Sequence, residues 1–226
     1  MRSEQSSKKN LVEDIYASLK QEILWLRLKP GETVTETYLA EVYETSKTPV
    51  REVLLRLISE GLIISYPGRG YAVSSISMDE IKDLHEYRYA LENACLVSAV
   101  KNATEEEIVH LDSLSYTDRQ FFVKEPPIFS KHPEPTLRDS EFHIYLAEIS
   151  GNKVILKGII DTLEKLQRLM YFISESEYMG RGCDEHHELA MLIRARHLKK
   201  AQELLHSHIN EVYRRCINAK DIQKLF

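Results

Sequence analysis

Four short runs carry the side chains best suited to chemistry: Arg88-Tyr89-Ala90-Leu91-Glu92, Asp139-Ser140-Glu141-Phe142-His143, Glu185-His186-His187-Glu188 and His206-Ser207-His208. Imidazole and carboxylate are ligands of divalent cations, and helical bundles build such sites by converging side chains from separate helices. Asp139 and His143 are four residues apart, so on a helix they project side by side. Three imidazoles and one carboxylate from three helices would suffice for one ion. Spacing does not choose among the histidines, because His187 or His206 fits an inward position as well as its neighbours. Taken singly, each histidine reads as structural and the Asp–His pair as a surface pair.

Arg88 poses a different question. Ile81, Leu84, Leu91 and Cys95 form an apolar stripe, and Arg88 falls at its gap, four residues after Leu84 and three before Leu91. A guanidinium on a buried face needs an anionic or strongly polar partner. Either an internal carboxylate or the carboxylate of a bound ligand meets that need.

The elements that position these groups are helical. Ser77-Met78-Asp79-Glu80 reads as a capping box opening a helix from Met78 to about Lys101, and Thr104 with Glu107 caps a second. Residues 125–135 hold four prolines and read as a loop. A third helix spans about Leu137 to Ile149 and stops at Ser150-Gly151-Asn152, where Asn152 caps the turn. A long helix follows to about Ser176, with Gly180 and Gly182 in the next turn. Two more cover Asp184 to about Arg196 and Leu198 to Ala219. This predicts an antiparallel all-α bundle of about six or seven helices.

The first third is organised differently. Residues 1–9 are polar and expected to fray. Asn10 with Glu13 reads as a capping box, and Leu11, Ile15, Leu19, Ile23 and Leu26 mark a helix to about Arg27. Thr35 is placed to cap a short helix from Glu36 to Tyr43, with Leu39, Ala40 and Tyr43 inward. Thr48 reads as the N-cap of the next helix, with Pro49 at its first position, where a missing N–H costs nothing. Val50, Leu54, Leu57 and Ile58 share one face, Arg51 and Arg56 lie away from it, and Gly61 is the stop. Leu62 to Tyr66, a turn at Pro67-Gly68-Arg69-Gly70, and Tyr71 to Val73 make a hairpin. Two short helices and a hairpin wing form a winged helix-turn-helix.

Pro30-Gly31-Glu32, Leu39-Ala40-Glu41, Ser46-Lys47-Thr48-Pro49-Val50-Arg51-Glu52, Leu57, Glu60-Gly61-Leu62 and Gly68-Arg69-Gly70 together resemble the winged helix of GntR-family bacterial transcription regulators. The resemblance implies binding to double-stranded operator DNA. Within it, the first turn of the recognition helix faces the groove, and its N–H groups suit phosphate. Lys47, Thr48 and Arg51 are the base-edge or phosphate candidates. Ser46, Thr37 on the preceding helix, and Arg69 with Gly70 on the wing are the backbone candidates. Arg51 to guanine would be the specific contact. The family usually has Arg where Lys47 stands and a polar residue where Leu55 stands.

A second resemblance concerns the remainder. Arg88-Tyr89-Ala90-Leu91-Glu92, Asp139 with Phe142-His143 ahead of Ser150-Gly151-Asn152, Glu185-His186 ahead of Leu189, and Ala201 seven residues before His208 resemble the FCD effector domain of the FadR branch. This resemblance, not the spacing, selects Asp139, His143, His186 and His208 as ligands. It implies a divalent metal, zinc first, with nickel or manganese as alternatives. It also implies a small carboxylic acid effector that completes the coordination, with Arg88 holding a further oxygen and Tyr145 and Arg168 at the pocket wall. The proline-rich loop departs from the family pattern.

Composition sets outer limits. Net charge is −5, but residues 1–77 hold ten Lys+Arg and ten Asp+Glu, so the acidic excess lies entirely in the remainder. A neutral DNA-reading part must gather its positive charge on one face, and a homodimer would double a modest footprint. No apolar run approaches a membrane span, and Met1-Arg2-Ser3-Glu4-Gln5 is not a signal peptide. Cys95, Cys183 and Cys216 are odd in number and unpatterned, as in a reduced cytoplasmic protein.

The expected fold is mainly α: a winged helix-turn-helix over residues 1–75 and an all-helical domain over 76–226. The expected function is a DNA-binding regulator, read as a repressor, whose operator binding responds to a small organic acid at the metal site. One rival is a helical metal-dependent hydrolase or lyase, in which an open metal position activates water. It lacks an evident general base. The other rival is a regulator whose metal is purely structural.

Overall fold

In a computed structural model, residues 2–75, 77–124, 134–173 and 176–218 are described. The described residues divide into two compact units, one ending at Ser77 and the other beginning at Met78.

The first unit opens with α1 (Arg2–Leu24) and continues through β1 (Thr33–Val34), α2 (Glu36–Val42), α3 (Lys47–Ser59), β2 (Ile63–Tyr66) and β3 (Gly70–Val73). Val12, Ile15, Leu19 and Ile23 of α1 pack on Leu39 of α2, and on Val50, Val53, Leu54 and Leu57 of α3. The periodicity of the two short helices is therefore realised. The strands form one antiparallel sheet in the order β1-β3-β2, with Ser65 opposite Tyr71 and Thr33 opposite Ala72. Gly70 must be glycine on two counts. Its φ is 95°, and a Cβ there would lie 3.2 Å from the Val34 carbonyl oxygen.

Several local expectations change. The helix expected from Asn10 starts at Arg2, because Glu, Gln, Lys and Arg favour helix and no breaker intervenes. Leu11 is exposed and Val12 takes the inward position, while Leu26 sits at φ 55° beyond the helix end. Thr35 does cap α2, its hydroxyl accepting from Tyr38 N at 3.1 Å. The N-cap of α3 is Ser46, not Thr48, which moves Pro49 to the third helical position. That place is still inside the first turn, where no N–H is needed.

The second unit is a bundle of α4 (Met78–Asn102), α5 (Glu105–Lys124), α6 (Glu134–Ile149), α7 (Lys153–Ile173), α8 (Ser176–Arg194) and α9 (Leu198–Asn218). Its core includes Leu96, Ala99, Leu111, Phe142, Leu146, Ile159, Leu189, Ile193, Leu205 and Ile209. Thr104 and Glu107 form the reciprocal cap of α5: Glu107 N donates to Thr104 Oγ1 at 3.2 Å, and Thr104 N to Glu107 Oε2 at 2.8 Å. Asn152 Oδ1 accepts from Val154 N and Ile155 N at 3.0 and 3.1 Å, opening α7. Arg196 closes α4, donating to the carbonyls of Ala99, Val100 and Ala103.

Two breaker readings fail. α8 runs through Gly180 and Gly182, its packing against α5 outweighing about 1 kcal/mol per glycine. α6 starts at Glu134, so Pro135 belongs to its first turn. The rest of the proline-rich stretch, residues 125–133, lies outside the described residues. No described helix is long and apolar enough to cross a membrane.

Candidate metal centre and nucleic-acid interface

Asp139 and His143 of α6, His186 of α8 and His208 of α9 come together inside the bundle, with one ligand atom from each lying within 4.8 Å of the others. The three Nε2 atoms form a nearly equilateral triangle. His186 is 3.2 Å from His143, and His208 is 3.3 Å from both. The carboxylate of Asp139 lies 3.7 Å from His186 Nε2 and 3.9 Å from His143 Nε2. Tetrahedral nitrogens about 2.0 Å from a zinc ion would be about 3.3 Å apart. All three imidazoles are buried, and Asp139 is partly buried.

Each outer face of the triangle is held differently. His143 Nδ1 lies 2.8 Å from Glu92 Oε2, and His208 Nδ1 lies 2.7 Å from Glu185 Oε2. A carboxylate only accepts, so both histidines carry their proton on Nδ1 and turn Nε2 lone pairs to the centre. Three lone pairs facing one another repel unless a cation sits among them, so this donor set fits a divalent ion. His186 Nδ1 has no hydrogen-bond partner among the described residues. Its ring is instead stacked on Phe142, with centroids 4.1 Å apart and planes 4° apart. Burial lowers the pKa of His143 and His186, which favours the neutral, ligating form.

Arg88 takes the internal partner. Its Nε donates to Glu92 Oε1 at 2.6 Å, and both side chains are buried. Burial alone would raise the pKa of Glu92. Arg88 and His143 outweigh it and bring Glu92 down to about 2. A relay Arg88–Glu92–His143 therefore runs from α4 to the centre. Sequence reading named Glu92 only as the end of the run that begins at Arg88, and Glu185 only as the neighbour of His186.

The surplus histidines point elsewhere. His187 Nδ1 lies 2.6 Å from Asp112 Oδ1, and His206 packs edge-on against Tyr89 with centroids 4.9 Å apart. Tyr145 is a correction. Two residues past His143 it points about 200° around α6 and meets His110 edge-on, with centroids 4.5 Å apart. It does not reach the cluster. Arg168 of α7 is buried, and burial pushes its pKa down to about 10.

In the first unit, Thr37, Ser46, Lys47, Thr48, Arg51 and Arg69 are all exposed. Glu36, Thr37, Lys47, Tyr66, Gly70 and Tyr71 line a cleft of about 340 Å³ between the starts of α2 and α3 and the wing. Arg51 is held at its edge. Its Nε donates to Glu36 Oε1 at 2.9 Å and its Nη2 to Glu36 Oε2 at 2.7 Å, while Tyr71 Oη donates to Oε1 at 2.9 Å. Glu36 thus ties both helices to the wing, a role sequence reading missed because its partners lie 15 and 35 residues away. Arg56 instead faces α1, with Glu13 at 3.0 Å and its guanidinium 3.5 Å above the Tyr16 ring. Leu55 remains exposed.

The FCD domain family matches residues 83–211, and the bacterial regulatory proteins of the gntR family match residues 11–73. This chain belongs to the GntR family and carries an FCD domain. The GntR chain is 26% identical to the Nta operon transcriptional regulator of Aminobacter aminovorans over 184 residues, covering 81% of this chain and 83% of that one. It is 24% identical to the HTH-type transcriptional repressor RspR of Escherichia coli over 205 residues, 88% and 86% of the two chains. The solved structure of E. coli McbR/YncC matches the fold with a TM-score of 0.76 at 20% identity, covering 92% of this chain and 97% of that one. These relatives are transcriptional regulators, so the GntR chain is a regulator and not the metal-dependent enzyme entertained above.

Proposed function

We propose that this GntR regulator is a homodimeric, metal-containing sensor that represses transcription until a small carboxylic acid binds. The observation that carries the reading is the triangle of Nε2 atoms with Asp139 beside it. Asp139, His143, His186 and His208 hold one divalent ion. Zinc suits three imidazoles and a carboxylate, and nickel or manganese would also accept them. The bound ion supplies a Lewis-acidic position that an acid's carboxylate can occupy. Arg88, held by Glu92, stands one relay step from the centre, and Arg168 is proposed as a pocket-wall residue. The repressor sign is supported by the likeness to RspR. By linkage, an acid that weakens operator binding must itself bind the operator complex less tightly.

Elemental analysis of untagged protein, with thermal shifts across a panel of small carboxylic acids, tests this. About one ion per chain and a clear shift with one acid are expected. No ion after reconstitution would overturn the site.

The outer carboxylates should matter as well. Glu185→Ala leaves the ligands in place but frees the His208 ring, and is expected to lower metal affinity by about 10- to 100-fold in a chelator competition. Unchanged affinity would make the Glu185 contact incidental.

On the DNA side, Thr37, Ser46, Lys47, Thr48, Arg51, Arg69 and Gly70 form the proposed contact set, with Glu36 aiming Arg51. Glu36→Gln is expected to raise affinity for unrelated duplex and to narrow the gap between operator and unrelated duplex several-fold at fixed salt. An unchanged gap would reduce Glu36 to a scaffold role. The hydrogen bonds from Arg51, helped by Tyr71, lower Glu36 to about 2 against the opposition of burial. A depressed carboxyl contributes stability above its unfolded pKa near 4.5 and loses it as pH falls toward 2. The pairing should therefore hold throughout the neutral and mildly acid range.

A further inference from the structure

The inward face of α4 stays polar for longer than the metal centre needs. Ile81, His85, Arg88, Glu92 and Cys95 are all buried, and of these Glu92 reaches the cluster through His143. His85 takes no part in that contact. It is 3% exposed, and its Nδ1 lies 2.8 Å from the Ile81 carbonyl oxygen one turn back. A carbonyl oxygen only accepts, so Nδ1 carries the proton and Nε2 presents a lone pair. That Nε2 meets no hydrogen-bond partner among the described residues. Burial, reinforced by Arg88, lowers the ring's pKa to about 4, so it remains a neutral acceptor at neutral pH. A buried polar atom without a partner is uncommon and calls for one.

The packing of α4 on α9 sets how far along the bundle axis His85 lies from the ligand His208. Gln202 bonds Asn93 at 2.8 Å, the His206 ring meets Tyr89 at 4.9 Å, and the Tyr213 ring meets His85 at 5.4 Å. Numbers rise along α9 as they fall along α4, so the two helices are antiparallel, and His208 comes level with the turn that carries Arg88. His85 lies about one turn, roughly 5 Å, farther along.

We infer that His85 Nε2 is the far hydrogen-bond acceptor of the effector site, and that the effector is a monocarboxylic acid with a hydroxyl at the end opposite its metal-bound carboxylate. The inference rests on the effector reading proposed above. A hydroxyl donates to Nε2. A methyl group leaves it unpaired. A second carboxylate sets lone pairs against a lone pair, because the Ile81 carbonyl fixes the tautomer.

Calorimetric titration of the metal-loaded full-length chain tests this with matched sets: butanoate, its ω-hydroxy derivative and succinate, then the pentanoate and hexanoate counterparts. In one set the hydroxy acid is expected to bind about tenfold or more tightly than both of its mates. His85→Leu should erase that preference with metal content unchanged. His85→Gln, whose amide can also donate, should admit the dicarboxylate, and it keeps the test open should the leucine variant fold poorly. Metal-dependent binding without a hydroxyl preference, or a preference that survives in both variants, would overturn the role of His85 and leave the effector reading standing. A metal-loaded chain that binds none of these acids would overturn the His85 inference. If it also gives no thermal shift with any carboxylic acid, the effector reading falls with it.

Discussion

His186→Ala is expected to take bound metal from about one ion per chain to nearly none. The three imidazoles present Nε2 atoms 3.2 to 3.3 Å apart, so each supplies one corner of a single donor set. His186 is the corner whose loss disturbs the rest least. His143 keeps Glu92 and His208 keeps Glu185, whereas His186 Nδ1 has no hydrogen-bond partner among the described residues to leave stranded. Removing one of four ligands from a zinc-type site costs most of its affinity, since the open shell must be filled by water. Ordinary metal content in the folded variant would mean that His186 is not a ligand. Full-length His186→Ala should still bind operator, because the proposed DNA-contacting residues lie in the other compact unit. It should no longer respond to an acid.

Arg51→Ala should abolish specific operator binding with the fold intact. Arg51 is exposed on α3, beside the buried face of Val50, Val53, Leu54 and Leu57, so truncation opens no cavity. Its guanidinium is already presented in one orientation by two hydrogen bonds to Glu36. A bidentate contact to guanine discriminates roughly ten- to a hundredfold, and a dimer would lose it twice. Arg51→Lys should recover only part of the loss, because an ammonium cannot make the paired contact. Filter binding against a duplex selected from a random pool, alongside a scrambled duplex, reads both effects. Retained discrimination in the alanine variant would move base reading to Lys47 or Thr48.

The two short helices and the wing were legible because their periodicity and turn residues agree. Val50, Leu54 and Leu57 repeat at helical spacing, and Pro67-Gly68-Arg69-Gly70 is bounded by strand-like runs. The capping pair Thr104–Glu107 and the cap at Asn152 were legible for the same reason, being local chemistry. What depends on tertiary packing was not. Two glycines lie within α8, Pro135 joins α6, and β1 is only two residues long.

The site divides in the same way. Asp139 and His143 share a helix face and could be paired from spacing, but choosing His186 over His187 and His208 over His206 required the family resemblance. Periodicity cannot tell which of two adjacent or near-adjacent histidines turns inward when both helices are packed on more than one side. The contact of Glu92 with His143 and that of Tyr71 with Glu36 were missed because these partners are 51 and 35 residues apart. Tyr145, offered for the pocket wall, lies two residues past His143 and so faces another side of α6, where it meets His110.

One titration shows whether an acid at the metal centre controls operator binding. Full-length protein, metal-loaded and metal-stripped, is titrated onto a selected operator duplex at fixed salt, with and without the acid that gives the largest thermal shift. The acid is expected to weaken operator binding about tenfold or more in the loaded protein and to leave the stripped protein unmoved. Equal operator affinity with and without acid in the loaded protein would contradict it.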